Sequence, residues 1–197
     1  MGIRSKIMSG FLILAAMLLV AGVWSIRELK NIGVSAQTML SENYRSIEAA
    51  KGMIESLERE DSAVLLLLLG RRDEGLAILK AADEAFEKAH GVARSNITIP
   101  GEQACVDAVT RAYEDYRRLW TQFSSHPSFR GDLDWYFREV NPTFLKAKSA
   151  VSGLMSLNHR VMYQTASDVE GRAHRATMPG IIAIAASFIF SVIFGFL

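Results

Sequence analysis

The sequence has one cysteine and four prolines, and its charges nearly cancel. Each shortage excludes something. A single thiol, Cys105, rules out an intrachain disulfide, and a lone cysteine of this kind is expected as a small buried apolar residue. Prolines stand at 100, 127, 142 and 179 alone, which leaves room for very long helices, because an interior proline removes a backbone donor and clashes with the preceding turn. A net charge of +1, with no clustered basic face, gives no support for nucleic-acid binding. The histidines at 90, 126, 159 and 174 include no i, i+4 pair, and no acidic cluster or further cysteine joins them, so metal binding is not expected. There is no nucleophile arrangement and no glycine-rich phosphate loop; neither catalysis nor a cofactor is expected within these residues.

Charge is missing altogether from two stretches. Residues 7–26, "IMSGFLILAAMLLVAGVWSI", and residues 178–197, "MPGIIAIAASFIFSVIFGFL", carry none. About twenty apolar residues at helical rise cross a hydrocarbon layer roughly 30 Å thick, so both are expected to span the lipid bilayer. Trp24 lies near one end of the first, where an indole favours the interface. A cleaved signal peptide has the same basic start and apolar middle, but no clean small-x-small site precedes a soluble start. Arg4 and Lys6 place residues 1–6 in the cytoplasm by the positive-inside rule, which puts 27–177 on the outer side of the membrane. A membrane span usually leads somewhere, so the chain is expected to be the N-terminal part of a longer protein.

Between the spans the pattern is helical. Over 27–69, apolar or small residues recur at Leu29, Ile32, Ala36 and Met39, then Ile47, Ala50, Ile54 and Leu57, then Val64 and Leu68. Steps of three and four make a coiled-coil-like seam, and Asn43 and Asp61 fall on it. The consecutive steps of four at 39–43–47 read as a local slip in the heptad. The run "SAVLLLLLGRRDEG" holds five consecutive leucines, far too short to span a bilayer. Nothing about it alternates as a strand would, and leucine is a strong helix former. A helix apolar on all sides must be buried on all sides, which happens where it packs inside its own bundle and against a second copy. Gly70 should end this helix. Further helices fit 72–95, 102–123 and 133–177, separated by "SNITIPG" and "SSHPSFRGD", with a kink or restart at Pro142. The expected fold is all-α: an up-down-up-down four-helix bundle flanked by two transmembrane helices, with a thin two-helix stalk that a homodimer would turn into four helices.

Two stretches go further: "ENYRSIEAAKGMIESLEREDSAVLLLLLG" and "YFREVNPTFLKAKSAVSGLMSLNHRVMYQTASDVEGRAHRA". With Asn-Tyr-Arg at 43–45, Leu-Glu-Arg before Asp61-Ser62-Ala63, and Leu157-Asn158 followed by Met162 and Ser167, the chain resembles the sensor region of KinB-type bacterial histidine kinases. The Leu-Asn element is shared with many chemoreceptors. The resemblance implies a linker and kinase domains beyond this module, with a response regulator as downstream partner. It carries over no catalytic residue.

Several residues are candidates for function. Arg45, with Asn43 and Tyr44, offers a planar fork of donors suited to a carboxylate or phosphate at a dimer seam; the plain alternative is a solvated arginine. Asp61 is a candidate ligand or pH-responsive group, against the alternative that it fixes helix register, a role Asn43 and Asn158 share. Tyr113, Tyr116 and Trp120, with Arg117 and Arg118, could line an aromatic pocket, although such a stripe is more often core. The stimulus, a small molecule or a protein, is not legible. A chemoreceptor and a membrane-anchored structural bundle are the competing readings.

Overall fold

The computed structural model of the protein describes residues 3–125 and 132–196. All regular structure among them is helical. Helix α1 runs unbroken over Ile3–Leu68, α2 over Arg72–Ser95, and α3 over Glu102–Ser125. A short α4, Leu133–Trp135, passes through a π-helical turn, Tyr136–Val140, into α5, Asn141–Phe196. Most of the expected break around His126 and Pro127 lies outside the described residues.

The end of α1 follows from local chemistry. Gly70 adopts φ +81°, a left-handed conformation that glycine takes without a Cβ clash. The Gly70 N–H donates to the Leu67 carbonyl (3.1 Å) and the Arg71 N–H to that of Leu66 (3.0 Å), a Schellman closure that satisfies two orphan carbonyls. The chain can then fold back at once. Gly75, near the start of α2, lets the two helices approach closely: a Cβ there would stand 2.8 Å from Leu67 Cδ2 and 3.0 Å from the Ala63 carbonyl oxygen.

Two compact units result. The larger comprises residues 40–163. Its up-down-up-down order is read from side-chain pairs. Ser46 of α1 meets Glu102 at the start of α3, and Glu60 meets Tyr113, so α1 and α3 run the same way. Arg72 meets Ser124 while His90 meets Thr110, so α2 runs against α3. Glu58 meets Lys148 and Asp61 meets Tyr136, so the last helix runs against α1. Met53, Leu57, Val64, Phe86, Val106, Val109, Tyr116, Val140, Val151 and Leu154 fill the centre, all essentially without solvent contact. A core of this kind is what stabilises helices of modest intrinsic propensity.

Within one chain the leucine run is partly covered. Leu67 is buried, Leu65, Leu66 and Leu68 are half-buried, and Leu69 is 76% exposed. One copy of the bundle has only three other helices to offer, so it cannot cover every side of a helix at its tip.

The smaller unit comprises residues 1–39 and 164–197. Here the apolar side chains point outward: Phe11, Leu12, Leu19, Val20, Ile181, Ile182 and Phe188 are exposed, while small residues such as Ala176 and Ala183 are buried. That inversion of the usual soluble pattern is what a lipid-facing helix pair displays. Both helices are long and apolar enough to cross a membrane. Pro179 sits within α5, which stays helical through it.

Candidate functional site

Among the described residues the bundle unit holds two buried polar clusters. The first lies where α1, the α2–α3 loop and α5 meet. Glu102, the first residue of α3, is fully buried. Its Oε1 accepts from Ser46 Oγ (2.7 Å) and Asn158 Nδ2 (2.9 Å). Its Oε2 accepts from the backbone N–H groups of Thr98 (2.9 Å) and Ile99 (3.3 Å). Asn96 Nδ2 donates to Ser46 Oγ (2.8 Å) and to the Glu42 carbonyl (2.7 Å). Four donors on one carboxylate replace the water it gives up, and they fasten three segments together.

The second cluster sits midway along the bundle. Glu60 is fully buried on α1. The Tyr113 hydroxyl of α3 stands 2.7 Å from Glu60 Oε1 and 2.9 Å from Asp83 Oδ1 of α2. Phe86 stacks on the Tyr113 ring at 3.5 Å between centroids. Arg117 pairs with Asp83 (2.7 Å) and with Glu87 (3.1 Å), leaving Glu60 no cation of its own among the described residues. Burial pushes the Glu60 carboxyl up to about 8, although the Tyr113 hydrogen bond works against that shift. Glu60 Oε2, the Tyr116 hydroxyl and Trp120 Nε1 are buried without hydrogen-bond partners. Next door, the Tyr136 hydroxyl stands 3.0 Å from both oxygens of Asp61, whose carboxyl burial also raises. Tyr136 belongs to the π-helical turn ahead of Pro142. Pro142 has no N–H to close an ordinary helical bond, and the wider turn before it is closed instead by the Asn141 N–H on the Tyr136 carbonyl.

The structure treats the candidate residues differently. Asn43 is fully buried, with neither side-chain nitrogen nor oxygen partnered, while its neighbours Tyr44 and Arg45 face solvent, so the three do not converge within one chain. Asp61 is half-buried, whereas Glu60, one residue earlier, is fully buried. Spacing alone places both equally well, since 57–60–64 and 57–61–64 each step by three and four. Asn158 joins the Glu102 cluster, and Pro142 is exposed at the start of α5. Tyr113 and Tyr116 prove to be core residues that also carry polar chemistry. Glu102 and Glu60 were missed because a glutamate reads as a solvated residue until its neighbours in space are known. In the smaller unit, Glu28, Asn31, Asp168 and Arg172 line an open pocket of about 210 Å³.

Such an all-helical bundle has a counterpart among known families. Residues 1–168 match the family described as a four helix bundle sensory module for signal transduction. The chain belongs to that family. No curated protein and no solved structure matches it. For a sensory module the buried clusters acquire a meaning that packing alone does not give them. Partly unsatisfied polar groups inside a bundle are costly, which sets these clusters apart from the apolar core.

Proposed function

We propose that this sensory module is the input region of a bacterial two-component histidine kinase, anchored in the inner membrane as a homodimer with residues 27–177 in the periplasm. The observation that carries this reading is the continuity of α1, a single helix that contains both a charge-free apolar run and the polar core residues of the bundle. Glu60 and the charge-free run thus belong to one continuous helix, which gives a change of packing around Glu60 a covalent route to the membrane span. The stretches around 42–70 and 136–176, which resemble KinB-type sensors, support the kinase output, and Arg4 and Lys6 support the orientation. The half-buried leucines at the bundle tip support a second copy. An external stimulus binds or modifies one packing of the bundle better than the other and shifts the balance; equal affinity for both would shift nothing. The output is autophosphorylation of a histidine and transfer to a response regulator.

The test is made on the full product of the coding sequence, in inverted membrane vesicles supplied with labelled ATP. Acid-labile, base-stable phosphate on the protein supports the kinase. Carboxyl methylation in its place identifies a chemoreceptor, and neither modification leaves a structural membrane-anchored bundle.

A further inference from the structure

Glu60 is a buried acid whose chemistry the fold leaves unfinished. One Tyr113 hydroxyl stands within hydrogen-bond distance of two carboxyl groups, and it has a single proton to give. Asp83 forms an ion pair with Arg117 at 2.7 Å. If Glu60 were ionised too, one of the two carboxylates would face the lone pairs of the phenol. A proton on Glu60 resolves the conflict: the carboxyl then donates to the Tyr113 oxygen, Tyr113 donates to Asp83, and each oxygen in the chain meets a hydrogen.

The surroundings agree. From α2, Asp83 and Glu87 place negative charge toward Glu60; from α3, Arg117 places positive charge toward it but is already engaged with both acids. Tyr116, also from α3, brings an unpartnered hydroxyl within electrostatic reach of Glu60 and Asp61. On the other side, Tyr136 and Lys148 act on Asp61. Burial holds the Glu60 proton into the neutral range, to about 8.

We infer that Glu60, Tyr113 and Asp83 form a proton-operated switch: the bundle keeps its packing while the buried carboxyl is protonated, and α1 loosens against α3 when the proton leaves. The path out is short. The Tyr113 hydroxyl relays the Glu60 proton toward the side of the bundle where the Asp83 side chain, 19% exposed, meets water. Tyr113 ends unchanged, Glu60 ends as a carboxylate, and water gains one proton. The new buried charge has no cation to meet, so water must enter or the helices must part. The stimulus is then a rise of external pH past neutrality. That meaning rests on the sensory reading, but the switch itself is measured without any output domain, so the two fail separately.

The experiment uses the full chain in lipid nanodiscs. Infrared spectroscopy reads the carbonyl stretch of protonated carboxylic acids, and hydrogen exchange reads the opening of α1 and α3 in the same pH series. The expected result is an acid band present at neutral pH that is lost with a midpoint near 8. Exchange around residues 57–64 and 109–116, corrected for intrinsic rates, should rise at least about tenfold with the same midpoint. Glu60→Gln should remove the band and flatten the exchange profile. Glu60→Asp keeps the acid and should restore a titrating band if the glutamine variant proves misfolded. No acid band at neutral pH, or exchange that climbs equally in Glu60→Gln, overturns the inference.

Discussion

Replacing Glu60 by glutamine should make the bundle more stable, and more so as pH rises. The carboxamide has nearly the shape of the protonated carboxyl and keeps an N–H to offer the Tyr113 oxygen, but it never ionises. In the wild type the folded state keeps the Glu60 proton up to about 8, whereas the unfolded chain releases it near 4.5. Between those values unfolding releases a proton, so stability falls as pH rises, by about 1.4 kcal/mol per pH unit for one group. Two other shifted groups bear on the lower part of the window. Asp61, also raised, adds a decline of the same sign as pH climbs from the ordinary carboxylate range. His90, lowered by burial from 6.5, acts in the opposite sense, because it is the unfolded chain that takes up its proton as pH falls through 6.5. Above 6.5 His90 no longer contributes, and the difference between the two proteins isolates Glu60 because Asp61 is common to both. From there to 8 the wild type should lose about 2 kcal/mol relative to Glu60→Gln, the product of 1.5 units and the slope above. The assay is chemical unfolding of the full chain in micelles, followed by loss of helical circular dichroism at several pH values. If the two proteins decline in parallel over that window, the buried acid is not the titrating group and the reasoning fails.

Other perturbations bear on other parts of the fold. Glu102→Ala strands Ser46, Asn158 and the Thr98 and Ile99 N–H groups, and a loss of roughly 2–4 kcal/mol is expected; Glu102→Gln should lose less, and thermal unfolding midpoints rank them. Gly75→Ala drives a methyl against Leu67 and the Ala63 carbonyl, which should destabilise the α1–α2 contact by about 1–3 kcal/mol in the same unfolding assay. Tyr136→Phe removes the hydroxyl that lowers the Asp61 carboxyl, so that group should titrate still higher, as carboxyl carbon chemical shifts will reveal. Arg45→Ala, on the solvent face, should leave stability within about 0.5 kcal/mol of wild type, while any anion bound through Arg45 would be lost in isothermal titration with inorganic phosphate.

Local and periodic physics made one part of this fold legible in the residues alone. Two charge-free runs announce the membrane-crossing lengths, and scarcity of proline permits a helix as long as α1. Gly70 and the "SNITIPG" break fix where α1, α2 and α3 end and begin, because a left-handed glycine and a proline act on the backbone wherever the rest of the chain lies. The seam picked out Ile47, Ala50, Leu57 and Val64 as core, since helical spacing alone gathers them on one face. Tertiary structure alone decided the polar interior. Glu60 and Asp61 fit the heptad equally well, and only the arrival of Tyr113 from α3 and Tyr136 from the π-helical turn sorted one into the core and the other to its edge. Glu102 became a fastener because Ser46 and Asn158, each 56 residues away, converge on it. A carboxyl group's ionisation depends on the donors, charges and water around it, and those are supplied by segments remote in sequence.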